Sequence, residues 1–410
     1  MPWEETCIMD ERLKFIGECL RGELTMTMLC ERYGISRKTG YKWLERYRAD
    51  PEHGLCDRSR APHHSANGLE WEVVEKIVAM RRRYPYFGPR KLLVKLEELE
   101  PLRQWPAAST IADVLRREGL SEPRRRRRSA EPITRPFAAV TEPNDTWCAD
   151  FKGWFRTADG ARCDPLTISD AHTRFLLDCR IVEPTTEGVQ PRFRRAFREF
   201  GLPRAIRTDN GTPFASNGAG GLSRLSVEWV KLGIKLERID PGCPQQNGRH
   251  ERMHATLKKQ TSRPPAGTAR EQQRRFDRFR AHYNDERPHE ALGQVAPGRI
   301  YEPSARSYPE RVEELWYDAD HAIRRVRSNG EIKWGGDFIF ISEALIGETV
   351  GVAEAEDGEW IVRFADIDLG RIDRRAKKLR RFTAPRPGRR KAGEQTEKTV
   401  THVSGPKCYP

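Results

Sequence analysis

Between residues 10 and 48, apolar positions recur every three or four residues: Leu13, Ile16 and Leu20, then Met26, Leu29 and Cys30. That period predicts short amphipathic helices. Gly34 breaks the second, and Ser36 stands where an N-cap belongs for a third running through Tyr41, Trp43, Leu44 and Tyr47. Helix, glycine turn, helix is the layout in which a recognition helix enters a DNA groove, and the exposed face of the third would offer Arg37, Lys38, Lys42 and Arg46. Any small helical hairpin with a solvated basic face fits the same pattern, and the segment alone leaves both readings open. Beyond a loop of Pro, His, Ser and Gly at 57–68, the helical period returns over 71–84, 88–99 and 109–118, with Pro89 opening one helix and Ser109 capping another that Gly119 ends. This predicts a second module of helix-turn-helix type.

From Thr146 the period shortens to that of strands. Residues 147–156, 163–169 and 175–182 predict an antiparallel meander, followed by a helix at 185–200 and a buried strand at 204–208 that ends in Asp209, Asn210 and Gly211. Helix 222–232, strand 234–238 and helix 245–259 continue the alternation, which favours parallel pairing in an α/β domain. A helix at 270–283 follows. Short runs at 322–327, 331–334, 338–341, 350–355 and 360–364, punctuated by Asn329-Gly330 and Asp357-Gly358, then predict hairpins of a small β-barrel. The expected boundaries are residues 1–62 and 63–121 for the all-α modules, 122–140 for a linker, 141–305 for the α/β domain, 306–383 for the barrel and 384–410 for a tail too rich in Pro, Gly and charge to fold.

Length and charge narrow what such an assembly contacts. A chain of 410 residues exceeds one ordinary core. A net charge of +14, with five consecutive arginines, Arg124, Arg125, Arg126, Arg127 and Arg128, in the linker, favours a polyanion such as DNA. No run approaches the roughly 18 apolar residues of a spanning helix, so no membrane role is expected. Nine scattered cysteines without a CxxC pair argue against a disulfide framework. The acidic N-terminus does not read as a signal peptide, which makes a bacterial cytoplasm, in association with the nucleoid, the expected location. Cys56, His63 and His64 match no standard zinc spacing.

Three acids stand at chemically telling places. Asp150 lies midway along the first strand, where an unpaired charge is costly, Asp209 lies at the carboxyl end of the fourth, and Glu251 lies inside a helix. On that helix, spacing puts His254, Ala255 and Lys258 on the Glu251 face, while Arg249, Arg252 and Lys259 flank it as charges that solvent alone would explain. Lys258 is a candidate phosphate contact, and residues 242–248 form a loop that would bend to admit DNA. Asp145, ahead of the strand, and Asp170, in a Ser-Asp-Ala-His turn, are set aside because turn chemistry accounts for them.

The segments TWCADFKGWF, RTDNGTPFAS and PQQNGRHERMHATLK around these acids, with YNDERPHEALG downstream, resemble the integrase core of bacterial insertion-sequence transposases related to retroviral integrases. The resemblance implies an RNase-H-like catalytic domain that cuts and joins DNA. It also implies that Asp150, Asp209 and Glu251 hold two Mg2+ ions, or Mn2+ in their place, and that the chain acts as a homo-oligomer on transposon terminal repeats and target DNA. Residues 216–226, rich in Gly and Ser, read as a loop insertion between the second Asp and the Glu. A catalytically inactive repressor derived from a transposase, or a nuclease of RNase-H type, is the rival reading.

Overall fold

The computed structural model describes residues 7–57, 68–121, 140–239 and 248–382. The chain divides into two compact units, Met1–Glu72 and Val73–Pro410. In the first, α1 (Ile8–Arg21), α2 (Met26–Arg32) and α3 (Arg37–Ala49) surround Phe15, Ile16, Leu29, Cys30, Trp43 and Leu55. The stops and starts are local. Gly22 closes α1 in the left-handed region, the Thr25 hydroxyl accepts from Met28 N–H, and the Ser36 hydroxyl accepts from Thr39 N–H. Gly40, inside α3, lets the helices approach so closely that a Cβ there would stand 2.6 Å from Cys30 Sγ. Gly40 and Trp43 face the contact, while Tyr41 of the same helix points to solvent.

The second unit opens with α4 (Trp71–Arg83), α5 (Pro89–Leu99) and α6 (Ala108–Arg117), which bury Ile77, Leu92, Leu96, Ile111 and Leu115. Ser109 does not cap α6: Ala107 takes the N-cap position and offers no side-chain bond. Part of this block is spent on packing. Tyr84 stacks on Phe87 at 4.8 Å, both rings lie against His282, and the Tyr84 hydroxyl donates to Glu286 at 2.8 Å.

The α/β domain follows the expected order. Strands β1 (Thr146–Phe151), β2 (Phe155–Arg156), β3 (Arg162–Cys163), β4 (Pro165–Asp170) and β5 (Leu176–Ile181) precede α7 (Thr186–Phe200), β6 (Ala205–Thr208), α8 (Arg224–Lys231), β7 (Lys235–Arg238), α9 (Gly248–Thr261) and α10 (Ala269–Asp285). The main sheet runs β5-β4-β1-β6-β7, antiparallel from β5 to β1 and parallel from β1 to β7. Side chains of β1 alternate between faces. Trp147 and Ala149 enter a core with Phe193 and Phe197 of α7 and Trp229 of α8. A second core, on Leu176 and Cys179 of β5, is closed by Met253 and Leu257 of α9 and Phe276, Phe279 and Tyr283 of α10.

The presumed loop insertion is a packed joint. Ala219–Gly221 forms a 3-10 turn, and Ala219 and Leu222 are fully buried in one cluster with Val326, Ile332, Val350 and Leu369 of the C-terminal sheets. That region holds β8 (Ala322–Arg325), the hairpin β9 (Glu331–Trp334) and β10 (Asp337–Phe340), then β11 (Thr349–Glu354), β12 (Trp360–Phe364), β13 (Ile367–Asp373) and β14 (Lys378–Arg381). Gly330 and Gly358 supply the positive φ its turns require. The order is β14-β13-β12-β11-β8 beside a β9-β10 hairpin whose Ile332 and Ile339 share its core, so the expected small barrel takes the form of two sheets around one core, with closure by hydrogen-bonded strands not shown among the described residues.

Candidate active site

Pairing of Asp150 with Thr167 on β4 fixes which face each presents. Trp147 and Ala149 point toward α7 and α8, so Asp150 points toward the side covered by α9. Its side chain is 26% exposed. Asp209 follows β6, the parallel neighbour of β1; it is exposed, and its carboxylate accepts from Gly211 N–H at 3.2 Å. Glu251 is exposed in the first turn of α9, where the helix dipole favours a negative charge.

The three acids act on one another. Burial, then Asp209, and with a smaller effect Glu251, push the Asp150 carboxyl up to about 7, against the Phe151 N–H and Lys152, which pull it down. Among the described residues, no three His, Cys, Asp or Glu side chains are gathered tightly enough to hold a metal ion as they stand. The donor set nevertheless suits one: hard carboxylate oxygens, with Asp209 and Glu251 both raising the Asp150 carboxyl despite the pull of Lys152.

Beneath Asp150 lies a buried polar network that the sequence reading did not assemble. Thr167 Oγ1 is 3.1 Å from the Asp150 carbonyl and 2.7 Å from both His250 Nε2 and His254 Nε2, while Ser169 Oγ meets His250 Nδ1 at 3.0 Å. A hydroxyl has one hydrogen. Given to the carbonyl, it leaves the Thr167 oxygen to accept from both rings, so each histidine carries its proton on Nε2, and Ser169 donates to His250 Nδ1. Burial pushes His250 down to about 3 and His254 further down, so both rings are neutral. His254 Nδ1 then faces Asp150 Oδ2 at 3.7 Å. The missed signal was spacing: His250 and His254 are one helical turn apart.

Basic side chains rim the acids. Burial first, then Lys258 and Arg263, push the Lys152 ammonium down, which places these three charges together beside Asp150. Lys258 had been singled out; Lys152 and Arg263 had not. Far along the sequence, Arg37, Lys38 and Lys42 are exposed on α3 as expected, whereas Arg46 is half-buried, with its guanidinium 5.1 Å from the Trp43 ring centre. Asp145 and Asp170 are satisfied structurally, the first by Thr141 and Glu142 N–H and Arg204, the second by Asn144 and Thr173 N–H. Arg124 to Arg128, His63, His64, residues 242–247 and the tail lie outside the described residues.

Asp150 and Asp209 thus sit on, and just after, adjoining parallel strands and Glu251 on α9, and the chain that carries them is similar to known proteins. Two family models described as integrase core domain match residues 140–244 and 232–297, and one described as the leucine-zipper of insertion element IS481 matches 11–83. The described part of that last span is four short helices, α1 to α4, rather than one long helix. The insertion element IS407 uncharacterized 31.7 kDa protein of Burkholderia multivorans is 31% identical over 246 residues, covering 58% of this chain and 82% of the relative. The insertion element IS476 uncharacterized 39.2 kDa protein of Xanthomonas euvesicatoria is 31% identical over 184 residues, 43% of this chain and 50% of the relative, so the chain spans about half of that protein. Among solved structures, the HTLV-2 integrase catalytic core domain in complex with magnesium aligns at 17% identity and TM-score 0.31, over 39% of this chain and 98% of that one. A simian T-cell lymphotropic virus intasome aligns at 15% and 0.35, over 76% and 100%. The chain belongs to the insertion-sequence transposases that carry an integrase core domain.

Two stability measurements test the site. Thr167→Val keeps the shape but leaves both histidine N–H groups unpaired in the interior, and should destabilise the protein by about 2–4 kcal/mol in urea unfolding, while Thr167→Ser restores most of it; a Thr167→Val protein as stable as the parent would refute the network. For Asp150, the folded value of about 7 lies above the ordinary 3.8. A carboxyl raised on folding favours the folded state while protonated, and that stability is lost as pH rises from about 4 through 7. Without divalent ions, Asp150→Asn should therefore be more stable than the parent at pH 8, by on the order of 2–3 kcal/mol, and the gap should close at pH 4 or on adding Mg2+. Equal stabilities at pH 8 in chelator would contradict the assignment.

Proposed function

We propose that the protein is an active DNA transposase, a polynucleotidyl transferase that cuts at transposon ends and joins them to target DNA through Asp150, Asp209 and Glu251. The observation that carries this reading is the raised Asp150 carboxyl, pushed up by its own burial and by the two other acids. The sheet order β5-β4-β1-β6-β7, with α9 following, supports an RNase-H-like catalytic domain. Asp150 would serve as ligand to two Mg2+ or Mn2+ ions, Asp209 to one and Glu251 to the other. Such a pair, when bound, activates the attacking oxygen and stabilises the leaving oxygen of an in-line phosphodiester displacement.

The chain's own residues supply position and charge. Thr167 and the two neutral histidines hold the strand and the catalytic helix in fixed register, so Asp150 faces Glu251 without a competing protonated imidazole. Lys152, Lys258 and Arg263 form a cationic rim that takes the phosphates flanking the scissile bond. Arg37, Lys38 and Lys42, with Arg46 braced on Trp43, present a helix to the major groove of the terminal repeat, as a helix-turn-helix module does, and the arginine run of residues 124–128 follows the backbone. Both ends must be held together for joining, so a homo-oligomer on DNA is expected. No helix among the described residues is long and apolar enough to cross a membrane, and the proposed setting is the bacterial nucleoid.

Labelled duplexes carrying the element's ends provide the test. Purified protein with Mg2+ should cleave at the end and transfer the freed 3' hydroxyl, and Asp150→Asn, Asp209→Asn or Glu251→Gln should each reduce both reactions about a thousandfold while leaving end binding intact. Sequence-specific binding with no cleavage under any divalent ion would instead make the protein a repressor, and preferential cleavage of RNA in hybrids would make it a nuclease.

A further inference from the structure

A cavity of about 360 Å3 opens where α5, the turn before β5, α9 and the segment after α10 meet. Its wall holds four cationic side chains, Lys91, Arg174, Arg252 and Arg287, and a single carboxylate, Glu290. Glu290 is already engaged by Arg90. Two further polar atoms are left over: Arg287 Nη1 and His289 Nε2 are buried without a hydrogen-bond partner. Buried donors are rarely left so, and each one costs free energy until an acceptor arrives. Aromatic packing keeps the cations in place, with Lys91 Nζ 5.9 Å and the Arg287 guanidinium 5.5 Å from the Phe87 ring centre. The strain is visible in Lys91, whose ammonium is pushed down to about 7 by burial and then by Arg287.

A compact anion with several acceptor oxygens would satisfy all of this at once. It would bring negative charge to Lys91 and Arg287, take a hydrogen bond from the orphan guanidinium nitrogen, and accept from His289, whose ring burial and the surrounding cations keep neutral, pushed down to about 3. The volume admits a phosphate with its sugar. Arg252, which the sequence alone left as a solvated charge, adjoins Glu251 on α9, and Lys91 belongs to the helical block packed on α10. A strand phosphate bound here would tie that block to the helix bearing Glu251.

We infer that this cavity binds a phosphate group of a DNA strand, held by Lys91, Arg252 and Arg287 with His289 Nε2 as a neutral donor. The anion site stands on the cavity itself; its assignment to DNA rests on the proposed function.

The full chain, in chelator so that no cleavage occurs, is titrated with inorganic phosphate and, separately, with a short single-stranded oligonucleotide that competes with radiolabelled phosphate. Phosphate should raise the melting temperature of the parent and equally of Asp150→Asn, so a failed transposition assay leaves this readout untouched. The rise should vanish in Lys91→Gln/Arg252→Gln, whose circular dichroism and unliganded melting verify folding, with Arg252→Gln alone as the milder variant. Oligonucleotide should displace phosphate, and its affinity should fall about tenfold in the double variant but not in Lys377→Gln, a remote charge. No phosphate-dependent rise, or the same rise in the double variant, overturns the site. Phosphate binding that the oligonucleotide does not displace makes free phosphate the ligand and overturns the assignment to DNA.

Discussion

A carboxylate seated at the middle of a five-stranded sheet, mostly withdrawn from water and facing two other acids, is unfavourable unless something positive joins it. Asp150 is in that position, and the surrounding structure reads as a means of keeping it there. Its strand is pinned on one side by antiparallel pairing to β4 and on the other by parallel pairing to β6, which also delivers Asp209. The apolar face of the same strand is locked by Trp147 and Ala149 in the core, so Asp150 cannot rotate to solvent without withdrawing Trp147 from it. The polar face is locked by one hydroxyl, Thr167, shared among the strand's backbone and two histidines of α9. Preorganised repulsion of this kind is stored in the folded state and released when a cation binds, which is how a fold can be tuned for metal-dependent chemistry.

Much of this was legible from residues alone because it depends on period and position. Alternation along β1, the helical period before Phe200 and the turn signal at Asp209, Asn210 and Gly211 indicated the element order, and in the structure that order sets Asp150 on the central strand beside the strand that leads to Asp209. What stayed hidden depends on partners distant in sequence. Thr167 looks like an ordinary strand residue until His250 and His254 arrive from 83 and 87 positions away. Lys152 and Arg263 carry no local pattern that marks them as neighbours. Residues 216–226 have the composition of a loop, yet Ala219 and Leu222 are buried, because the apolar surface that covers them belongs to β-strands beyond residue 320. Strands β13 and β14 were not read as separate strands within the 306–383 domain, since Asp368, Arg371, Asp373, Lys378, Arg380 and Arg381 interrupt their apolar positions and hide the covered face.

The modules also divide their labour differently from the sequence expectation. The first helical unit keeps an exposed basic helix in α3; the second places Tyr84 and Phe87 against His282 and so belongs structurally with the α/β domain. The C-terminal sheets are joined to that domain through the insertion, with Lys231 and Glu348 bridging at 2.8 Å. The second helical block and the C-terminal sheets therefore both pack on the α/β domain that carries Asp150, Asp209 and Glu251.

The central claim, that these three acids form one metal centre, is tested most directly by crystallising the chain with Mn2+ and collecting anomalous scattering at the manganese edge. The account requires two peaks within ligand distance of Asp150, one also bound by Asp209 and the other by Glu251. Peaks absent from this cleft at saturating Mn2+, or bound by other residues while Asp150 stays unliganded, would contradict it.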